Sequence, residues 1–464
     1  MASTVGTSGL GYLYWMVAAR ELPRPAIGTA TALISAATVV SMIANLGLGH
    51  MFIQRLPGVP AAAWSRIVSA GLLLGCAATA AAAVAAVLVL PRLAGNFGFL
   101  HEPAGAAALV ATAVALTASM LLDYVFVAHR ASQGMLWRNL ALAGGKVVVL
   151  LALTGAGFAT AWAVVLAWTL PSLAVTGYTL SRSLPRLRPG YRLAGAGLAG
   201  ELRHVRGSLT GPHLINLAQA GPSAVLPVLV TARLGAADNA HFYMAWMTAS
   251  VLFMVSPAVA SALYAERTNA AEPTNAAEPT NAAGRSASLP RAALVVLVVI
   301  GGPAAGLFLA GGGILALFSP AYAAGGGLLL KILILAAIPD AITNLAVAHW
   351  RSQGALRRCL RLNLLMAAAC LALTWLWLPS MGIEAAGFAW LTGQSAGALI
   401  VVAHAGHARL VRRATSGPMP RPRPAHAPRA PLHPVVRGPA MRVGNRNRRP
   451  SPYSRPRSRT RRAP

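Results

Sequence analysis

Apolar stretches of about 20 residues recur along the whole chain, separated by short loops that are polar or basic. A bilayer has a hydrocarbon core about 30 Å thick, and an α-helix needs about 20 apolar residues to cross it. The pattern therefore predicts an all-α polytopic membrane protein with about 12 transmembrane helices. The predicted spans are Thr4–Ala19, Ala26–Gln54, Ser65–Leu90, Ala104–Ala128, Asn139–Phe158, Thr160–Leu180, Ser208–Ala232, Asn239–Leu263, Ala292–Phe318, Gly325–Ala348, Cys359–Leu378 and Ile383–Ala403.

One sequence segment, called the doubled phrase below, occurs twice in the chain. The sequence "VAHRASQGMLWRNLAL" begins at Val127 and returns as "VAHWRSQGALRRCLRL" at Val347, 220 residues later. Each copy follows an even-numbered span, the fourth and the tenth, so six helices separate them and both copies face the same side. A weaker match, "VAAREL" with "VTARLG", aligns Arg20 with Arg233. The repeat predicts two pseudo-symmetric parallel halves of six helices each.

Basic residues in the loops predict the orientation. With the amino terminus inside, 17 Arg residues lie in cytoplasmic loops and flanks, against four in the outer loops (Arg20, Arg24, Arg92 and Arg233). Positive charge favours the cytoplasmic side. Both termini are therefore predicted to be cytoplasmic.

Composition separates three regions. Residues 1–206 form the first half with a basic linker at its end, and residues 207–404 form the second half with a low-complexity loop at 267–285. Residues 405–464 are Pro- and Arg-rich, carry no acid and are predicted to be disordered. Beside a membrane, such a tail favours anionic lipids over nucleic acid as its partner. The three cysteines are unpaired in spacing, and no metal site or cofactor is predicted.

The opening "GYLYWMVAARELPRPAIGTATALISAATVVSMIANLGLGHMFIQRLPG" resembles the first two helices of bacterial polysaccharide-export proteins. With its two halves of six helices, the chain up to about residue 404 resembles the Wzx-type flippase branch of the multidrug/oligosaccharidyl-lipid/polysaccharide (MOP) exporter superfamily. The resemblance implies a bacterial cytoplasmic-membrane protein that moves a polyprenyl-diphosphate-linked oligosaccharide to the outer leaflet by alternating access. It also implies polysaccharide-assembly proteins as partners.

A diphosphate and a sugar headgroup cannot cross hydrocarbon unsolvated, so the cavity needs positive charge, amides and hydroxyls. Charged residues inside transmembrane helices usually face such a cavity. The substrate-binding candidates are therefore Arg20, Arg233, Lys331, Lys146, Asn216 and Gln219. The candidates for ion coupling or gating are Asp340 and Asp123, the acids inside helices, and Pro222, one of three prolines in the seventh span.

Two other functions share parts of this pattern. A small-molecule or drug antiporter of the same superfamily is favoured if acids dominate over bases in the cavity. A polyprenyl-dependent membrane glycosyltransferase needs a sizeable loop with carboxylates or His for acid–base chemistry. The outer loops offer only isolated residues of this kind, so the chain is not predicted to be an enzyme.

Overall fold

The computed structural model describes residues 2–193, 211–269 and 288–415, and these residues form an almost entirely helical protein. A bilayer offers no partner for an unpaired backbone amide, which is why every predicted span becomes a helix. The helices are α1 Ala2–Glu21, α2 Arg24–Ala44, α3 Leu48–Arg55, α4 Ala61–Leu93, α5 Pro103–Ala128, α6 Ser132–Gly155, α7 Ala161–Tyr178, α8 Leu184–Leu187, α9 Gly211–Leu234, α10 Ala236–Asn269, α11 Ser288–Phe318, α12 Pro320–Ser352, α13 Leu356–Met381 and α14 Glu384–Thr415. A 3₁₀ segment, Gly95–His101, joins α4 to α5, and a π-helical turn, Thr179–Ser183, joins α7 to α8.

Twelve of these helices, all except α3 and α8, match the twelve predicted spans. Within the described residues, ten of them are long and apolar enough to cross a membrane; α1 and α10 are the two that do not meet this measure. The predicted all-helical membrane fold is therefore confirmed.

Helix packing repeats between the two halves. In the first half α1 packs on α6, α2 on α5 and α4 on α5. The corresponding pairs in the second half are α9 with α13, α10 with α12 and α11 with α12. This repetition confirms two parallel six-helix halves, and it places both copies of the doubled phrase at the same end of the molecule. We call this end, which holds residues 127–142 and 347–362, the Arg-rich end, and the opposite end the Arg-poor end.

The second predicted span is wrong in one respect. The pattern predicts a single helix over Ala26–Gln54, whereas α2 ends at Ala44 and α3 begins at Leu48. Leu46 and Gly47 both have positive φ values, 50° and 73°. A helix cannot continue through two residues in the left-handed region, so the apolar run turns at "NLGLG".

The two halves are joined by hydrogen bonds toward the Arg-poor end. Helix α2 packs on both α9 and α10. Asn239 Nδ2 on α10 donates to the carbonyl oxygen of Gly28 and to Thr31 Oγ1 on α2, both at 2.9 Å. Nearby, Arg20 Nε donates to the carbonyl oxygen of Leu317 at 3.0 Å. Further hydrogen bonds between the halves lie between this end and the middle of the helices, including one from Tyr12 Oη to the carbonyl oxygen of Met247 at 3.3 Å.

The predicted region boundaries fall largely on residues outside the described ranges. The boundary at 206/207 and most of the 267–285 loop lie there, and so do residues 416–464 of the tail. Helix α10 continues to Asn269, and helix α14 to Thr415, ten residues past the predicted start of the tail. The division into regions stays a prediction.

Candidate functional site

A cavity of about 590 Å³ lies inside the second half, between α9, α10, α12, α13 and α14. We call it the second-half cavity. Its walls combine amides, hydroxyls and aromatic rings with one carboxylate, that of Asp340, and no Lys or Arg lines it among the described residues. The main lining residues are Asn216, Gln219, Pro222, Trp246, Phe253, Asp340, Thr343, Asn344, Asn363, Met366, Trp390 and Gln394.

A chain of hydrogen bonds runs along one wall of this cavity. Asn344 Nδ2 donates to Asp340 Oδ2 at 2.9 Å, and Gln219 Nε2 donates to Asn344 Oδ1 at 2.8 Å. Arg351 Nη2 then donates to Gln219 Oε1 at 3.1 Å and to Asn216 Oδ1 at 2.9 Å. The chain connects α9 to α12 and leads from the buried carboxylate of Asp340 to a guanidinium at the Arg-rich end.

Three aromatic rings form another part of the cavity wall. Trp246 and Trp390 meet edge to face with their centroids 4.9 Å apart, and Phe253 lies 5.8 Å from each of them. The indole nitrogen Nε1 of Trp390 is buried without a hydrogen-bond partner in the described part of the chain, and so is Asn363 Nδ2. A buried donor without a partner costs about 1–3 kcal/mol. Both nitrogen atoms are covered by neighbouring atoms in this conformation, so an acceptor in the cavity would reach them only if residues of the wall moved.

Basic side chains from both halves meet near the Arg-rich end of the cavity. Arg351 belongs to the second half, and His50 on α3 belongs to the first. Burial and the positive charge of Arg351 lower the pKa of His50. His213 of the second half in turn interacts electrostatically with His50. The halves therefore face each other here across groups that repel when protonated.

The structure brings four of the predicted site residues together. Asn216, Gln219, Pro222 and Asp340 all line the second-half cavity. Pro222 interrupts the backbone hydrogen bonding of α9 at the cavity wall, because proline has no amide hydrogen. The four residues share one cavity, and their roles in binding and coupling stay predictions.

Three cationic candidates, Arg20, Arg233 and Lys331, do not line the second-half cavity. Arg20 is exposed and caps the carboxyl end of α11 through Leu317. Arg233 is exposed and stacks on Trp375, with its guanidinium carbon 3.6 Å from the ring centroid. Lys331 lies exposed beside a smaller cavity of about 300 Å³ between α11 and α12. The structure does not gather these three into one cluster.

The remaining candidates lie within the first half. Lys146 on α6 places its Nζ 3.2 Å from the centroid of the Trp168 ring on α7. Asp123 on α5 forms an ion pair with Arg138 on α6, whose Nη2 also donates to the carbonyl oxygen of Ser119 at 3.0 Å. Arg138 is 5% exposed. The doubled phrase carries an Arg at this position in both copies, Arg138 and Arg358. Asp123 was a predicted site residue, whereas its partner Arg138 was not.

The repeat relates the site in one half to the site in the other. Lys146 corresponds to Met366, 220 positions later, and the "AW" that contains Trp168 recurs 222 positions later with Trp390. In the first half the lysine ammonium covers the tryptophan ring, whereas in the second half Met366 and Trp390 both line an open cavity. The sequence analysis missed Trp390, Asn363 and Arg351. The dipeptide "AW" occurs five times in the chain, so it does not by itself identify Trp390.

No family model matches the chain, and no curated protein matches its sequence. Solved structures with a similar fold include two membrane proteins. One is described as a multidrug resistance MATE family transporter of the MOP superfamily in an inward-facing conformation. It has a TM-score of 0.62 and 14% identity, over 88% of this chain and 96% of that one. The other, described as lipid II flippase MurJ in an inward closed conformation, has a TM-score of 0.67 and 11% identity, over 87% of each chain.

Proposed function

We propose that this protein is a membrane transporter of the MOP exporter superfamily that works by alternating access. Its proposed substrate is a polyprenyl-diphosphate-linked oligosaccharide, moved from the cytoplasmic to the outer leaflet of the bacterial cytoplasmic membrane. The fold shared with MATE and MurJ structures supports a transporter. The chemistry of the second-half cavity supports the substrate class.

The observation that carries the proposal is the pair of unpartnered donors, Asn363 Nδ2 and Trp390 Nε1, in a wall that also contains the Trp246 ring. An oligosaccharide offers hydroxyl oxygens to such donors and apolar ring faces to the indoles. The amides of Asn216, Gln219 and Gln394 and the carboxylate of Asp340 add both acceptors and donors for hydroxyl groups. An organic cation without acceptors leaves the two donors unsatisfied.

The distribution of charge supports a place for the diphosphate. His50, His213 and Arg351 lie near the Arg-rich end, where the two halves face each other. A diphosphate between them would offset their mutual repulsion and would accept charge-assisted hydrogen bonds. The more distant cations, Arg20, Arg233, Lys331 and Lys146, stay predicted substrate contacts.

The hydrogen bonds between the halves support a direction. The halves are held together toward the Arg-poor end by Asn239, Gly28 and Thr31. In the proposed cycle the substrate therefore enters from the Arg-rich end, which the loop charges assign to the cytoplasm. Transport then requires these bonds to break while the basic groups at the other end approach each other around the diphosphate.

Asp340 favours a second candidate, an antiporter for small cationic molecules. Among the described residues it is the one carboxylate that lines the second-half cavity, and three aromatic rings line the same cavity. Aromatic rings attract cations. For this function the carboxylate is essential, whereas the unpartnered donors are not. Transport by the flippase should therefore depend on Asn363 and Trp390, whereas transport by the antiporter should depend on Asp340.

The test uses two substitutions that remove a donor and little else. Trp390→Phe keeps an aromatic ring without the N–H, and Asn363→Leu replaces the amide by an apolar group of similar size. Trp390→Phe also leaves a smaller side chain between Trp246 and Phe253, which costs stability, so the amount of each variant in the membrane is measured and export is compared at equal amounts. The matched control is Trp137→Phe, because Trp137 is 65% exposed on the surface.

We expect both cavity variants to lower export of lipid-linked oligosaccharide about tenfold, the equivalent of one lost hydrogen bond to a buried partner. The measurement is the accumulation of the lipid-linked oligosaccharide on the inner leaflet of cells at equal protein abundance. Normal export by both variants, together with loss of cationic-drug resistance in Asp340→Asn, would instead establish the antiporter.

A further inference from the structure

Lys331 belongs to an exposed stripe of α12 rather than to the second-half cavity. Between Ala324 and Ile342 the exposed residues of this helix recur at helical spacing and, apart from the lysine, are apolar: Ala324, Leu328, Lys331, Leu335, Ile338 and Ile342. Such a stripe on a transmembrane helix faces lipid. The stripe therefore carries a single ammonium group on a surface that is otherwise suited to acyl chains.

A groove lies beside this ammonium group. The cavity of about 300 Å³ between α11 and α12 is lined by Lys331, Phe308, Gly312 and Gly327, among others. A Cβ atom added at Gly312 or Gly327 would meet nothing within 4 Å. The missing side chains of these glycines therefore leave open space next to Lys331.

Lys331 has no anionic partner among the described residues. Its Nζ lies 5.8 Å from the centroid of the Phe308 ring. No hydrogen bond or ion pair joins it to another described side chain. An unpaired ammonium group within the membrane is costly, and such groups pair with other charges or extend toward the headgroups.

The position of Lys331 along α12 puts its ammonium group within reach of headgroup phosphates. Helix α12 has 33 residues, or about 50 Å at 1.5 Å per residue, which exceeds the hydrocarbon thickness of about 30 Å by about 10 Å at each end. Lys331 is eleven residues from Pro320 at the Arg-poor end, about 16 Å along the helix. Its Cα then lies about 6 Å below that interface, a distance that a lysine side chain can cover.

We propose that the groove between α11 and α12 binds an anionic phospholipid of the bilayer, with Lys331 contacting its phosphate. One acyl chain fills the space over Gly312 and Gly327, against the ring of Phe308. The occupant is an anionic lipid because the groove presents one positive charge and no carboxylate among its lining residues. The residues that line this site are different from those that line the second-half cavity.

The test measures binding of phosphatidylglycerol, and of phosphatidylcholine with the same acyl chains, to the purified full-length protein by native mass spectrometry. We expect Lys331→Met to weaken phosphatidylglycerol binding about fivefold, the effect of one basic residue near a membrane surface. Lys331→Arg should retain binding because it keeps the charge. Gly327→Leu should weaken the binding of both lipids because it fills the groove without altering the lysine.

The control variant is Arg92→Met, which removes one exposed positive charge elsewhere at the Arg-poor end and should bind both lipids as the unmodified protein does. Unchanged phosphatidylglycerol binding in Lys331→Met would overturn the proposal. The proposal would also be overturned if Lys331→Met lost affinity for polyprenyl diphosphate but not for phosphatidylglycerol, because the groove would then bind the transported lipid. Asn363→Leu, which alters the second-half cavity and not the groove, should bind phosphatidylglycerol as the unmodified protein does, so a failure of this proposal and a failure of the proposed function are distinguishable.

Discussion

Arg138 illustrates how the partners of a buried charged side chain determine what its loss costs the fold. Its guanidinium is buried between α5 and α6, where Asp123 and Ser119 accept its hydrogen bonds. Its Nε atom has no partner among the described residues. A buried charge pair stabilises little in itself, but the loss of one partner leaves an uncompensated charge.

We therefore predict that Arg138→Met lowers the free energy of unfolding by about 3 kcal/mol. The double variant Arg138→Met/Asp123→Leu should regain most of this loss, since it removes both charges. Equilibrium unfolding in mixed micelles measures the effect, with Arg66→Met, a substitution of an exposed arginine, as the control. If the double variant is as unstable as the single one, Asp123 has a role beyond pairing with Arg138.

At this scale the sequence identifies types of residue better than it identifies partners. Intramembrane charge is rare and easily seen, so Asp123, Asp340, Lys146 and Lys331 could all be selected in advance. Their surroundings depend on which face of each helix turns inward, and that is determined by packing between distant segments. Asp340 thus lines a cavity, whereas Lys331, nine residues earlier on the same helix, faces outward.

Among the helices, α2 holds the most central position in the described structure. It contacts α9 and α10 of the other half as well as α4, α5 and α7 of its own. The closest approach is at Gly28, where an added Cβ would lie 1.6 Å from the carbonyl oxygen of Ala236. A glycine is therefore required at this point as long as the two halves are in contact.

Gly28→Ala should consequently separate the halves at the Arg-poor end. The prediction is tested with a reporter, Ala240→Cys, in a background without the three native cysteines; Ala240 is fully buried near this contact. We expect an impermeant thiol reagent to label residue 240 several times faster from the outside in Gly28→Ala. Gly9→Ala provides the control, because a Cβ at Gly9 meets no atom within 4 Å. Equal labelling rates in all three proteins would show that this contact does not hold the outer end closed.

The number and type of helices could be predicted because apolar length is a local property of the sequence. The interruption between α2 and α3 could not, since "NLGLG" is apolar enough to continue a helix and only its backbone conformation reveals the turn. The sequence also did not reveal the open cavity in the second half, or that Lys146 covers the Trp168 ring in the first half. Both features depend on packing between neighbouring helices, which brings Lys146 onto Trp168 in the first half and leaves Met366 and Trp390 lining open space in the second.

The whole molecule combines a repeated helix arrangement with unequal halves. The doubled phrase predicts the repeat, and the same helix pairs pack in each half. The cavities of about 590 and 300 Å³ both lie in the second half, and Asn239 joins the halves toward the Arg-poor end. In the proposed function, one half binds the headgroup while the contact between the halves controls access.

The most direct test of the account is lipid translocation by the purified protein in liposomes. The substrate is a fluorescent polyprenyl-diphosphate-linked oligosaccharide, and the measurement is its loss of access to an impermeant quencher. We predict translocation well above that of protein-free liposomes, reduced about tenfold by Trp390→Phe and unchanged by Trp137→Phe. Absence of translocation, with uptake of an organic cation that depends on Asp340, would contradict the account.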